Sequence, residues 1–302
     1  MRPILRPGTH VLRRPAGRLQ VGLTPETALL LPDAPEVRHS LALLGSAAPL
    51  EEHQDRSVLE LLAEAGLVVD ERAVTTLLTG SDVDRSEAAA RCRSLGADAA
   101  TAPAARAALR LLTVTSGPPV VGHLAARVTD LAASAGIGTA RVAARRCGVV
   151  IAVGEPAREL VDPWARTGTP YVLLRFVEGR AVLGPFVLPG STACLRCLDA
   201  HHTDADPAWP LLVRQHTAAS SGDRRDGMPE PVDPLLVDVA AGWLVRDLAT
   251  YAEGGRPSTW SATLTLPARL EQVDARSWLR HPACGCAWRS PRREVASDTM
   301  EA

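Results

Sequence analysis

Among its 302 residues the chain has no lysine and no asparagine, and all 33 basic side chains are arginine. Without lysine there is no amine nucleophile, no Schiff base, and no ammonium to hold a phosphate. The surplus of Ala, Arg, Gly and Pro points to a GC-rich genome as the origin of these gaps; the chemical consequence holds regardless. Net charge is −1, which argues against a broad basic footprint for nucleic acid or an anionic membrane. No apolar run approaches the length of a membrane span. The opening Met1-Arg-Pro-Ile-Leu-Arg-Pro lacks a signal-peptide core. We therefore expect a cytoplasmic protein, with no nucleic-acid and no membrane partner. In that compartment its few cysteines suit metal better than disulfides.

There are six cysteines, and four fall in two close pairs. Cys194 and Cys197 form Cys-x-x-Cys after Gly184-Pro-Phe-Val-Leu-Pro-Gly-Ser-Thr-Ala; Cys284 and Cys286 form Cys-x-Cys near the C-terminus. Each short spacing lets a tight turn aim two sulfurs at one ion, so the four read together as one tetrahedral zinc site. Four protein ligands leave no open position, which makes such a zinc structural. The competing reading is unrelated thiols in a reducing cytoplasm. Cys92 and Cys147 read as unliganded.

With 46% hydrophobic residues the chain can bury a sizeable core, and its length suits two domains. Three short β-prone runs punctuated by Pro and Gly, in Thr9–Arg14, Gly17–Leu23 and Thr27–Pro32, predict a three-stranded meander. Helical spacing follows over Glu36–Gly45, with Gly45 as C-cap, and again from Asp55 as N-cap to Gly66. A third short helix falls near Ala73–Leu78. We expect a winged-helix-like α+β module over 1–82, a linker over 83–107 with a helix at Ser86–Leu95, an α/β domain over 108–289, and a disordered tail over 290–302.

The second domain opens as a βαβ unit: a strand at Leu109–Thr115, a turn Ser116-Gly117-Pro118-Pro119-Val-Val-Gly122, a helix to Gly136, and a strand at Ile137–Val142. Strands then follow at Cys147–Gly154, Thr169–Val177 and Arg180–Leu188. A helix lies at Pro156–Arg166, a mobile loop at 217–232, a long helix at Pro234–Tyr251, and a closing strand pair at Trp260–Leu266 and Leu270–Ala275. A glycine turn before a helix can cradle a phosphate through backbone N–H groups and the helix dipole. Here Gly117 and Gly122 are kept, but two prolines without N–H stand where donors would point. The choice is between a nucleotide loop and a βαβ turn with no ligand.

These features together resemble the ThiF-type superfamily of ubiquitin-like-modifier-activating enzymes over residues 108–289. The resemblance rests on Gly117 and Gly122, Val149-Val-Ile-Ala-Val, Gly168-Thr-Pro-Tyr-Val, the Cys194/Cys197 knuckle, the long helix and the final cysteine pair. Gly184–Asp199 with Thr203-Asp-Ala-Asp-Pro-Ala-Trp-Pro210 is similar to the ThiF-like partner proteins of azoline-forming cyclodehydratases. The resemblance implies a Rossmann-type sheet with zinc, and an N-terminal module that binds a leader peptide and presents it to a separate modifying enzyme. In the adenylating members it also implies ATP; a homodimer is expected separately, from the helix at 234–251. The departures weaken the ATP role. No lysine is present, an αβ excursion between Val142 and Gly148 is missing, and the strand end that usually bears aspartates reads Ala152-Val-Gly-Glu155. We therefore expect a degenerate, non-adenylating scaffold with no catalytic residue of its own. The alternative is an active adenylyltransferase acting on a C-terminal carboxylate.

For the remaining candidates the plain readings come first. Glu155 reads as a surface cap, with metal binding as the alternative. His201, His202, Asp204 and Asp206 read as a solvated loop, with metal or acid–base work as the alternative. Trp243 and Trp260 read as core, although the helix at 234–251 could form a dimer face. A peptide would add as a strand near Thr27–Leu31 and pack on the helix at 57–65; the other reading there is an ordinary helix–sheet core.

Overall fold

A computed structural model describes residues 2–53, 56–75, 77–220 and 226–286. Asp55 and the tail from Ser290 lie outside the described residues. The chain divides into two compact units, Met1–Pro103 and Ala104–Ala302.

In the first unit the expected meander forms: β2 (Val11–Arg14), β3 (Arg18–Val21) and β4 (Leu29–Pro32), all antiparallel in the order β2-β3-β4. Leu19, Val21 and Leu31 face inward, against Val37, Leu41 and Leu44 of α1 (Pro35–Gly45) and Val58, Leu59 and Leu62 of α2 (Ser57–Glu64). Gly45 is the last residue of α1 rather than its left-handed cap; the positive φ falls on Ala47, at 52°. Gly66 does supply the reversal after α2, at φ 67°. An unanticipated pair joins β1 (Pro3–Leu5) antiparallel to β5 (Val68–Asp70). The third helix, α3, spans Glu71–Thr75. The interval 83–107, read from sequence as a linker, is largely helical. α4 (Asp82–Leu95) starts at a capping box in which Ser81 and Asp84 satisfy each other's backbone N–H, and it buries Ala88 and Cys92. A 3-10 turn at Gly96–Ala100 and α5 (Ala102–Ala107) follow.

The second unit is built on a six-stranded mixed sheet in the order β11-β10-β9-β8-β7-β6. β6 (Leu109–Ser116), β7 (Arg145–Val153) and β8 (Tyr171–Val177) are parallel; β9 (Arg180–Val187), β10 (Ala262–Leu266) and β11 (Asp274–Ser277) continue antiparallel. One face carries Val149, Ile151, Val172 and Leu174, covered by α6 (Val120–Ser134) and α10 (Pro234–Ala252). The other face carries Val150 and Leu173 against Trp164 of α7 (Asp162–Thr167). Trp243 and Trp260 pack against the first face as expected, Trp260 stacking on Phe186 at 6.0 Å.

Residues 137–142 form turns rather than the expected strand. Gly136 (φ 77°) and the bond from Ile137 N to Ala132 O close α6 as a glycine cap, so the apolar Ile137 seals a helix end. The chain then enters β7 directly. Both crossovers, β6-α6-β7 and β7-α7-β8, step the same way across the sheet, yet α6 and α7 cover opposite faces. They therefore have opposite hands, and one departs from the right-handed rule. A doubly wound sheet of order 3-2-1-4-5-6 explains this. Its first crossover steps outward from strand 1 with its helix on one face, and strands 4 and 5 step the other way with helices on the opposite face. Such a sheet without its outer strands, with strand 1 joined to strand 4, would carry the first helix on the face where α6 lies. Among the described residues β6 is accordingly an edge strand, and the strand order never reverses.

Candidate functional site

Within β9 the Gly184–Pro185 bond is cis, and Gly184 (φ 90°) lets the backbone pass within side-chain distance of Ala262 O. The turn beyond Val187 is closed by Thr192, whose hydroxyl accepts from Leu188 N at 2.8 Å. Cys194 then stands at the N-cap of α8 (Leu195–Ala205), and Cys197 falls in its first turn, its N–H bonded to Cys194 O at 2.9 Å. The second pair sits on a 3-10 turn at Pro282–Cys284, where Gly285 (φ 74°) reverses the chain between the two thiols. Sγ–Sγ distances are 3.7 Å for Cys194–Cys197, 3.4 Å for Cys194–Cys284 and 3.3 Å for Cys197–Cys286. All four sulfurs lie within 4.8 Å of one another. A tetrahedron with Zn–S bonds of ~2.3 Å has edges of about 3.8 Å, and a disulfide needs about 2.05 Å. The donor set therefore fits a tetrahedral metal and fits no disulfide. Hydrogen bonds from Cys194 and Cys284 lower the Cys197 pKa, while those of Cys194 and Cys284 rise. Ala193, Leu198 and Trp278 back the cluster. Beside it a cavity of about 420 Å³ is lined by Pro189, Gly190, Tyr171, Asp162 and Arg196.

His201, His202 and Asp204 lie on α8 rather than on a solvated loop, a correction that the apolar Leu195 and Leu198 explain, since they bury that helix face. Asp206 caps the end of α8. His201 and Asp204 converge with His281 into a second group of possible ligands. Hydrogen bonds engage the Nε2 atoms of both histidines. His281 Nδ1 accepts from Ala283 N at 3.2 Å, so its proton sits on Nε2 and is donated to Asp204 Oδ2 at 2.9 Å. His201 Nε2 donates to Leu279 O at 2.9 Å. Both Nε2 lone pairs are therefore spent on protons, and the trio clamps the segment before Cys284 onto α8. His202 stacks on Trp209, the first residue of α9 (Trp209–Ser220), with centroids 4.3 Å apart; burial, then Arg276, lowers its pKa. That helix takes in 217–220, the start of the expected loop at 217–232.

Glu155 is largely enclosed, its side chain 12% exposed, and is not a surface cap. It follows Gly154 (φ 85°) at the end of β7 and meets two guanidiniums, Arg158 at 2.7 Å and Arg175 at 2.7 Å. Arg158 also holds Asp199 with two bonds of 2.8 Å, and Asp199 Oδ1 accepts from Trp209 Nε1 at 3.0 Å. Burial works to raise the Glu155 pKa, but the charges and hydrogen bonds of Arg175 and Arg158 prevail and hold it at about 2. The carboxylate that could have met a metal ion is thus already neutralised from within. Sequence reasoning missed Arg158, Arg175, Asp199, Trp209 and His281. One signal was available: Arg175 interrupts the apolar run Tyr-Val-Leu-Leu-Arg-Phe-Val, and a charge in a buried strand implies a buried partner. A cavity of about 220 Å³ adjoins this network, with Arg276 and Asp274 at its rim.

The structure places Gly117 and Gly122 at the start of α6. Gly117 has φ 125°, and a Cβ there would lie 2.6 Å from Val153 O, so its small size serves packing against the end of β7. The N–H groups of Val121 and Gly122 are taken by the carbonyls of Pro118 and Pro119 at 3.0 and 3.1 Å. Cys92 and Cys147 are buried, and burial raises both pKa values. In the first unit β4 has no outer neighbour among the described residues; Leu30 and, on α2, Leu61 are 45% and 47% exposed. No helix among the described residues is long and apolar enough to cross a membrane.

No protein-family model matches the chain, and no curated protein sequence matches it. Its fold does recur among solved structures. The heterocyclase TruD aligns with a TM-score of 0.68 at 17% identity, over 94% of this chain and 42% of that one. A heterocyclase in complex with substrate and cofactor aligns at 0.65 and 18%, over 95% of this chain and 39% of that one. E. coli MccB solved with ATP aligns at 0.61 and 14%, over 95% of this chain and all of that one. This chain thus spans less than half of the heterocyclase chains and the whole of MccB. At these identities the likeness establishes a shared fold.

Proposed function

We propose that the chain binds a peptide through its first unit and scaffolds the modification of that peptide by a separate enzyme of cyclodehydratase type. It adenylates nothing itself, and its second unit is stapled by a structural zinc at Cys194, Cys197, Cys284 and Cys286. The observation that carries the non-adenylating part is Glu155. The one carboxylate at the end of β7 has each oxygen bonded to a guanidinium, Oε2 to Arg158 and Oε1 to Arg175, so its charge is already met by two cations where a magnesium ion would need it. The missing outer strands and the engaged N–H groups of the glycine turn support the same reading. The open edge of β4 beside an exposed face of α2 supports peptide binding by strand addition. The shared fold with heterocyclases, one of them solved with substrate and cofactor, supports the modification setting.

A second reading keeps ATP chemistry on a C-terminal carboxylate. It draws on one observation, full-length alignment with MccB, a protein solved with ATP. Calorimetric titration with Mg-ATP, together with ATP–pyrophosphate exchange, decides between them. The scaffold reading expects no heat and no exchange with or without peptide; either signal overturns it. Metal analysis of the purified chain expects one zinc per chain. Sedimentation tests whether the chain is a homodimer.

A further inference from the structure

The β2–β3 hairpin carries Arg13, Arg14 and Arg18, with no acidic residue from His10 to Leu23. In its register Arg14 stands directly opposite Arg18. The bond from Gly22 N to His10 O makes 14 and 18 a hydrogen-bonded pair, with Cα atoms about 5.5 Å apart and both side chains on one face. Like charges so placed repel. Both arginines are exposed, and neither has an acidic partner within ion-pair distance among the described residues. Arg14 instead donates to Gln20 Oε1 at 2.7 Å, which fixes its guanidinium on the outer face. The carboxylate nearby, Asp33, is occupied by Arg38 at 2.5 Å; that hydrogen bond lowers its pKa, with a smaller contribution from Arg13. A repulsive pair left uncompensated in the free protein marks a place where an anion belongs.

The same register shows what shares this face. Leu12, Gln20 and Leu30 form one row across the three strands, and Arg14, Arg18 and Pro32 form the next. The opposite face is covered by α1 and α2. The bond from Asp33 N to Gly17 O turns the backbone groups of Leu29 and Leu31 toward β3, so Leu30 N–H and C=O point outward at the open edge. A strand added there lies roughly 9.6 Å from β3, two strand spacings away. The small Pro32 side chain is all that separates it from Arg18, and a glutamate and an arginine together can reach across.

We infer that the peptide bound by this unit is acidic, with Asp or Glu at alternate positions whose carboxylates pair with Arg18 and Arg14 across the outer face. This rests on the reading that the first unit binds a peptide by strand addition. The probes are fluorescently labelled (Glu-Ser)5, (Gln-Ser)5 and (Lys-Ser)5, and a ten-nucleotide single-stranded DNA, titrated with the full chain at low salt and read by anisotropy. The expected result is that (Glu-Ser)5 binds about tenfold tighter than (Gln-Ser)5, the yield of two exposed charge pairs, and that (Lys-Ser)5 binds weakest. The doubly substituted R14Q/R18Q chain, checked for an unchanged melting curve, should bring the first two to parity, as should raised salt. Equal binding of (Glu-Ser)5 and (Gln-Ser)5 by the native chain overturns the inference while peptide recognition stands. A preference for glutamate that persists in R14Q/R18Q overturns the arginine pair as its source. Tighter binding of the DNA overturns the peptide as occupant. Binding of no peptide at all overturns both this inference and the reading beneath it.

Discussion

The four-cysteine group and the Glu155–Arg158–Arg175–Asp199 network are both largely enclosed meetings of polar side chains in the second unit, and they are assembled in opposite senses. The first brings four donors of one kind to a common centre with Sγ–Sγ distances of 3.3 to 3.7 Å. Like donors gathered this closely suit a cation that would hold them as thiolates. The second interleaves Glu155 and Asp199 with Arg158 and Arg175, and each charge has its opposite in contact. A cluster of like donors suits an added ion; a cluster of alternating charges is neutralised from within. The fold has kept the first kind and closed the second.

The contrast breaks most sharply at the cysteines. Cys194→Ser or Cys286→Ser should release zinc and lower the melting temperature of the second unit by more than about 10 °C, since structural zinc contributes on the order of 10 kcal/mol in small metallo-domains and each kcal/mol moves a unit of this size by roughly 2–4 °C. Metal content and calorimetry check it, and unchanged values in both would sink the metal centre. Next comes Glu155→Ala, which strands two guanidiniums in a buried setting. It should cost about 3–5 kcal/mol by denaturant melts, and adding Arg175→Leu should recover part of that loss. If Glu155→Ala melts like the native chain, the network is not closed in the sense argued here.

Acid should reveal the same carboxylate. Its folded pKa of about 2 lies below the ordinary 4.5, so its stabilisation is fully present above pH 4.5 and is lost as pH falls toward 2. The shift corresponds to about 3 kcal/mol, and a Glu155→Gln chain should lack that part of the acid slope. The smallest effect is expected at the glycine turn. Gly117→Ala meets Val153 O at a positive φ and should cost roughly 1–3 kcal/mol, while Gly122→Ala, with open space around it, should be neutral or stabilising. Equal effects at the two positions would return the turn to a ligand-binding role.

Much of this was legible from residue order. The meander, α1, α2, α6, α10 and the strands at 145–153 and 171–187 follow from periodicity and from Gly and Pro. What failed did so for local reasons. Ile137 has strand propensity, yet a glycine cap claimed it for the end of α6. Ser81 and Asp84 started a helix four residues before the expected Ser86 through reciprocal capping. The polar stretch 199–206 reads as loop until Leu195 and Leu198 are seen to bury one face of it. Glu155 could be judged only with Arg175 in view, 20 residues away.

By itself the sequence determined the four-cysteine group that could hold a metal, because ligand identity and short spacing are covalent facts that survive any packing. It also determined the absence of lysine chemistry, and the punctuation that sets most elements. Tertiary structure alone decided whether Glu155 faces a metal or two arginines, which histidine nitrogen holds a proton, and on which face α6 lies. Those outcomes depend on charges and carbonyls brought together from distant strands, and the energy of a buried charge depends on which neighbours the fold delivers.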